Sequence, residues 1–397
     1  MKIKKDIKKV LISLSLYALG QGFFYSFREI WMSNNNLSIK TIGTVLSICA
    51  LLTMSVIFLC SNLVKRNRLK IFTQSLILIK GLTIFILYIL NDTGLNIPIK
   101  FLIMIDYVID VEIITSIYPI IAQINKDDKL YAKKGLITEV FYSLGLILTI
   151  FLIGKKLLFI SINYNSYILI ATILTLLSFI VLYKIDFRKY VKKEEIQEKN
   201  ALLDLVKDLV KEKISKNYIL VCIMNGISYS SIFGLKMLFL TKGFSFTDAR
   251  AANILTFFGL LSVIIGYIIL YKLTSKNNYI NLGIKYGGRL ILYIICIITN
   301  SKIVFFLAFS YAYLLSNSYS HISDAPYINR IRNKYQFAFC NLKAMVDYLG
   351  VAIGVYLCGL AIEKNLLLNF VMAAIFCSVE VFLRFRGVSL YNKESHN

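Results

Sequence analysis

Twelve apolar runs, each long enough to cross a lipid bilayer, follow one another along this chain. A helix that crosses the hydrocarbon core needs about 20 mainly apolar residues. The runs are Val10–Trp31, Ile39–Cys60, Ile71–Leu90, Lys100–Ile121, Gly135–Gly154, Tyr167–Tyr183, Tyr218–Leu240, Asn253–Tyr271, Tyr279–Thr299, Ile303–Tyr319, Phe337–Ile362 and Leu366–Leu383. They are called spans 1 to 12 below. Composition agrees with them: 57% of the 397 residues are apolar and 17% are charged, where a soluble domain carries about 25% charge. A soluble core has no room for so many apolar side chains, so most of the chain is expected in lipid. Disordered, disulfide-scaffold and coiled-coil classes are excluded on the same ground. The first run has full length and carries Arg28 and Glu29 near its outer end, with no small-residue cleavage site, so no cleavable signal peptide is expected.

The net charge is +23. In a soluble protein that excess would suggest nucleic acid. Here it falls in short clusters between apolar runs. If the spans alternate in direction, 31 of the 45 Lys and Arg lie on one side, 8 on the other and 6 inside spans. Basic loops stay in the cytoplasm. The chain therefore reads as a multi-pass protein of the cell membrane with both termini cytoplasmic, membrane lipid as a partner and no nucleic acid.

The 7 Cys lie in apolar runs without a CxxC pair, and there are 2 His. Neither a metal site nor a cofactor is expected. No GxxxxGK[ST] run occurs, so ATP hydrolysis is not expected. A membrane-embedded enzyme would need convergent His, Asp or Ser groups near one face, and the chain is not expected to be an enzyme.

One long polar segment, Lys184 to Asn217, divides the spans six and six. The expected organisation is a bundle over 1–183, a cytoplasmic linker over 184–217 and a second bundle over 218–397. Within the linker, Leu202, Leu205, Val206, Leu209 and Val210 recur at helical spacing, which predicts an amphipathic helix over Asn200–Lys213 resting on bundle ends or headgroups. A weak repeat supports two halves. Leu37-Ser38 precedes span 2 and Phe244-Ser245 precedes span 8, 207 residues apart. Parallel six-helix halves are a known transporter design.

These features resemble the major facilitator superfamily over nearly the whole length. Leu37-Ser-Ile-Lys-Thr-Ile-Gly43 with Ser47 is similar to the family's "GLS…IG…S" segment at span 2. Val64-Lys-Arg-Asn-Arg-Leu-Lys70 stands where the family has its loop 2–3 signature, roughly G-x-x-x-D-R-x-G-R-K. Lys65 and Arg68 match basic positions, while Val64 replaces the Asp and Asn67 the Gly. The resemblance thus does not extend to an Asp-centred cytoplasmic gate. It implies an all-α membrane fold of twelve helices in two pseudo-symmetric bundles. It also implies a secondary transporter working by alternating access, with spans 1, 4, 7 and 10 lining a central cavity.

A charge inside a span is costly unless paired or wetted, so intramembrane charges are the first site candidates. Span 4 carries Asp106, Asp110 and Glu112. Asp106 and Asp110 share a helical face, either as proton or cation sites or in a fixed pair with a neighbouring helix. A carboxylate in a poorly hydrated cavity takes up a proton more readily than one in water. Gln21 and Arg28 in span 1, Asn225 in span 7, and Asn317 with His321 near the end of span 10 complete the substrate and proton candidates. Lys65, Arg68, Glu139, Lys343 and Asp347 are gate or interface candidates, the last two spaced to pair with each other. Lys285 and Arg289 in span 9 read as structural.

An acidic and aromatic lining favours proton-coupled export of a small amphiphilic or cationic molecule. Span 5 lacks the Pro of the family's drug–proton antiporter motif, which weighs against that subgroup. Uptake of a small polar solute and a lipid-linked saccharide flippase are the alternatives. A receptor that has lost transport is a further one.

Overall fold

In the computed structural model the described residues are 2–24, 28–34, 36–63, 68–90, 96–124, 137–138, 140–149, 156–157, 160–161, 164–185, 213–269, 272, 277–316 and 336–395. Each of the twelve apolar runs contains helix. Span 1 is Lys2–Phe24, continued by a short helix Arg28–Asn34; span 2 is Ile39–Leu63, span 3 Leu69–Leu90, span 4 Asn96–Ile124, and span 6 Tyr164–Tyr183. Span 5 contains Val140–Thr149. Span 7 is Lys213–Phe233 followed by Lys236–Leu238, span 8 is Asp248–Ile268, span 10 Lys302–Leu314, span 11 Gln336–Lys364 and span 12 Leu366–Ser395. Span 9 runs over Asn278–Thr299. Seven of these helices are long and apolar enough to cross a membrane, or eight if the bent span 7 is one crossing. The chain is a multi-pass membrane protein. The one departure from an all-α reading among the described residues is a two-residue antiparallel pair, Lys156–Leu157 with Ile160–Ser161. The helix expected over Asn200–Lys213 falls almost wholly outside the described residues.

Helix ends follow local chemistry. Asn36, Ser245 and Asn300 have positive φ, the left-handed conformation that Asn adopts most readily after Gly. Asn36 precedes the Leu37-Ser38 pair before span 2, and Ser245 is the serine of the Phe244-Ser245 pair before span 8. Asn300 closes span 9 by donating its N–H to the Cys296 carbonyl. The Asn277 side chain accepts from Tyr279 N at 2.9 Å and so caps the start of span 9; Asn365 does the same for Leu367 N at the start of span 12. Span 7 bends by 45° at Gly234, where an added Cβ would sit 3.0 Å from the Val355 Cα.

By its contacts the chain forms two units. The first comprises Met1–Ser38, Leu63–Gln197 and Phe246–Leu260; the second comprises Ile39–Asn62, Glu198–Ser245 and Leu261–Asn397. This grouping places span 2 with the second unit and the start of span 8 with the first. The cause is backbone-close packing. Gly43 of span 2 lies against Gly359 of span 11, a built Cβ being 3.1 Å from its Cα. Glu363 accepts the Lys40 N–H at 2.8 Å.

Each unit carries the same glycine crossing. In the first, Gly22 of span 1 faces Gly145 of span 5, and a Cβ on Gly22 would meet the Gly145 Cα at 2.9 Å. In the second, Gly226 of span 7 faces Gly350 of span 11, and a Cβ on Gly226 would meet the Gly350 Cα at 2.9 Å. Small residues let helices approach until van der Waals contact replaces the hydrophobic drive that lipid does not supply. Polar ties run beside these crossings. Ser13 donates to the Ser178 carbonyl at 2.9 Å between spans 1 and 6. Ser228 donates to Ala373 at 3.1 Å and Asn369 to Ser231 at 2.7 Å, both between spans 7 and 12.

Candidate functional site

The first unit holds a charge cluster built from spans 1, 3 and 4. Lys80 sits in the middle of span 3 and is fully buried, 0% exposed. Its ammonium lies 3.0 Å from Asp106 Oδ1 and 3.2 Å from Asp110 Oδ1, and donates to the Asp106 carbonyl at 3.3 Å. The two aspartates are one helical turn apart, so a single ammonium reaches both. Tyr17 of span 1 donates its hydroxyl to Asp110 Oδ1, and its ring lies 5.9 Å from the Lys80 nitrogen. An unpaired ammonium here would cost several kcal/mol, so the pairing is what makes Lys80 tolerable in the span.

The surroundings are polar and buried. Gln21, one turn beyond Tyr17, is buried, and neither atom of its amide has a hydrogen-bond partner among the described residues. Arg28 is buried with its guanidinium 5.1 Å from the Tyr107 ring centroid, and it interacts coulombically with Asp106. Lower in the cluster, Thr73 donates to Ser116 at 2.8 Å between spans 3 and 4.

The second unit holds two groups. Aromatic rings of spans 7 and 10 pack together: Tyr229 stacks on Phe233 at 4.4 Å, Phe233 meets Phe309 at a tilt at 4.8 Å, and Phe309 stacks beside Tyr313 at 6.1 Å between centroids. Between spans 9 and 12, Glu380 accepts from Arg289 and, at 2.8 Å, from Arg384.

The structure thus brings Asp106 and Asp110 together with a lysine that the sequence reading had not singled out. Asp110 is paired with Lys80 in this structure, an arrangement that a proton site and a fixed pair share. Gln21 and Arg28 lie in the same unit. Asn225 is half-buried in span 7, and Lys343 pairs with Asp347 at 2.8 Å. Arg68 is exposed. Glu112 falls in the span 4 helix, but its side chain lies outside the described residues, as do Lys65, Glu139, Asn317 and His321. Tyr17, Lys80 and Glu380 were missed. A lysine in the middle of an apolar run was the available signal for Lys80, and the Glu380–Arg384 spacing of four was the signal for Glu380.

No family model matches this chain, and no curated protein does. Solved structures do. A variant of the nucleoside transporter NupG superposes with TM-score 0.70 at 12% identity, over 97% of this chain and 100% of that one. The D-xylose-proton symporter gives 0.65 at 12% identity, over 94% and 96%. The E. coli fucose:proton symporter FucP gives 0.62 at 11% identity, over 98% and 99%. Identities this low speak to architecture alone. On that evidence the chain has the fold of the major facilitator superfamily.

Proposed function

We propose that this protein is a secondary transporter that works by alternating access and couples movement of a small molecule to protons. The observation that carries the reading is the Lys80–Asp106–Asp110–Tyr17 cluster. Lys80 is the cation shared by the two carboxylates, 3.0 and 3.2 Å away, with Arg28 acting on Asp106 beside it, so a proton gained or lost on Asp110 resets the charge balance of the whole cluster. Two carboxylates so close ionise together only at a cost. Asp110 is the carboxylate of the two that a proton can reach from outside the cluster, at 7% exposed against 0% for Asp106. The moving bodies in this reading are residues 1–183 and 218–397, joined by the linker 184–217, with both termini in the cytoplasm.

The cargo we favour is a small amphiphile. Lys80 compensates the acidic side chains, so the charge argument for a cation weakens, whereas the half-buried rings of Tyr229 and Tyr313, backed by Phe233 and Phe309, suit an apolar body. Export is the favoured direction, because an amphiphile leaks inward through lipid unaided and needs a carrier only against that leak. The second reading is uptake of a small polar solute. It is favoured by the buried, unpartnered amide of Gln21, and the named symporters of this fold carry such solutes. Vesicles containing the purified protein and a pH-sensitive dye test both. Ethidium is the amphiphilic probe and xylose the polar one. Substrate-driven proton flux with ethidium supports the first reading and flux with xylose the second. Probe movement without proton movement contradicts the coupling.

A further inference from the structure

Spans 1, 3 and 4 meet at the Lys80 cluster, and each changes character there. One turn to one side, each carries a polar side chain that is at least nine-tenths buried: Gln21 four residues after Tyr17, Thr83 three after Lys80 and Asp106 four before Asp110. One turn to the other side, each carries a fully buried apolar one: Leu14 three residues before Tyr17, Ile77 three before Lys80 and Ile113 three after Asp110. These three belong to one apolar core with Val10, Ile120 and Leu182. On the proposed orientation the polar level lies toward the outer side and the apolar core fills the cytoplasmic half.

Asp110 sits on this boundary. Lys80 and Tyr17 both engage its Oδ1, so Oδ2 is the oxygen open to a proton. The charged groups around it are Lys80 and Asp106, with Arg28 acting on Asp106. A buried apolar layer does not hold water, and without water it is a barrier to ions. Leu14, Ile77 and Ile113 therefore close the cytoplasmic end of the unit to a proton. The polar level is different. Thr83 donates its hydroxyl to the Ile79 carbonyl at 2.9 Å, and Asp106 is held by Lys80 at 3.0 Å. Gln21 has neither its donor nor its acceptor engaged among the described residues. A buried amide in that state is costly, and a water, which both donates and accepts, satisfies it. Gln21 shares a helical face with Tyr17, and Tyr17 touches Asp110, so a water on the amide is set beside the carboxylate.

We propose that the Gln21 amide holds the water through which Asp110 exchanges its proton. The inference rests on the proton-coupled reading above. A proton arriving on that water passes to Oδ2: one hydronium O–H bond breaks as the carboxyl O–H forms, and a neutral water stays on the amide. Release runs the same step backward. Gln21 is thus a positioning residue. It sets how fast Asp110 is reached, not how strongly Asp110 holds its proton.

Time-resolved infrared spectra of the purified full-length protein after an acid jump, with no cargo present, test this. The band followed is the carbonyl stretch that Asp110→Asn removes. Gln21→Met should slow its growth by about tenfold or more and leave its final height and pH midpoint unchanged. Gln21→Asn, which keeps an amide, should stay near the native rate. Gln74→Met should match the native protein, because Gln74 is buried in span 3 six residues before Lys80, on the far side of Ile77. Should Gln21→Met fail to fold, Gln21→Leu takes its place. A native rate in the Gln21 variant, or slowing by Gln74→Met as large as that by the Gln21 variant, overturns the proposal. So does slowing accompanied by a lost band or a moved midpoint, which would make Gln21 part of the charge balance. A native protein with no such band refutes the proton reading itself, whereas an unchanged rate refutes only the role of Gln21.

Discussion

The Lys80 ammonium lies 3.2 Å from Asp110 Oδ1, the same oxygen that accepts the hydroxyl of Tyr17. One carboxylate oxygen therefore ties spans 1, 3 and 4 together. Any change in its protonation is felt on all three helices at once. That is the coupling a carrier needs between a proton and the position of its helices.

Removing one partner of this cluster should be far worse than removing its charge as a whole. Lys80→Met takes from two buried carboxylates the cation nearest to both, and breaking a buried pair in this way costs about 3–5 kcal/mol. Adding Asp106→Asn and Asp110→Asn to Lys80→Met removes the uncompensated charge and should recover most of that loss. Thermal unfolding of the purified variants checks both. A triple variant no more stable than Lys80→Met alone contradicts the pairing.

The glycine crossings make a matched pair of predictions. Gly22→Ala and Gly226→Ala each press a methyl group into the backbone of the facing helix, within 2.9 Å of its glycine. Backbone has no rotamer to yield, so each should cost about 1–3 kcal/mol. Gly287→Ala meets nothing within 4 Å and should be neutral or stabilise by up to about 1 kcal/mol. Melting temperatures of the three variants side by side give the answer. Equal behaviour of all three would mean that the crossings are not close-packed.

Tyr17→Phe removes a hydrogen bond to a charged group without opening a cavity. Such bonds contribute about 1.5–3 kcal/mol. The variant should fold, lose stability on that scale and show altered proton coupling, because Asp110 loses its one hydroxyl donor among the described residues. Unchanged stability and coupling would make the tyrosine a packing residue only.

Orientation is checked by labelling. Cysteines placed at exposed Lys242 and Lys302 should react with a membrane-impermeant maleimide on intact cells. Cysteines at exposed Lys184 and Lys272 should react only after permeabilisation. The five described native cysteines, Cys49, Cys222, Cys296, Cys358 and Cys377, are buried and should contribute little background. The reverse pattern contradicts cytoplasmic termini.

The architecture was legible because hydropathy and the spacing of basic loops act over whole helices. Each of the twelve apolar runs proved to contain helix, and span 12 differs mainly in continuing past Leu383 to Ser395. The site was legible in part. Asp106 and Asp110 stand out by charge alone, since a carboxylate in an apolar run needs an explanation. Their partner did not stand out. Lys80 carries the sign of a residue that can extend to an interface, and only the crossing of spans 3 and 4 shows that it turns inward. Tyr17 had no signal, because one more tyrosine in an aromatic-rich membrane helix is unremarked. Glu380 was hidden for a different reason. It lies near the end of span 12, where charge is cheap, and its burial follows from how tightly span 12 packs on span 9. The matched pairs Gly22–Gly145 and Gly226–Gly350 were invisible as a repeat, since packing distance alone, with no shared motif, makes them equivalent.

The central claim is that Asp110 holds and releases a proton inside the first unit. Infrared spectra of the purified protein, recorded as pH is lowered, test this without knowledge of the cargo. The account predicts a carbonyl stretch from a protonated buried carboxyl that grows on acidification and disappears in Asp110→Asn. A titration in which Asp110→Asn and the native protein give the same band, or in which neither gives one, would contradict it.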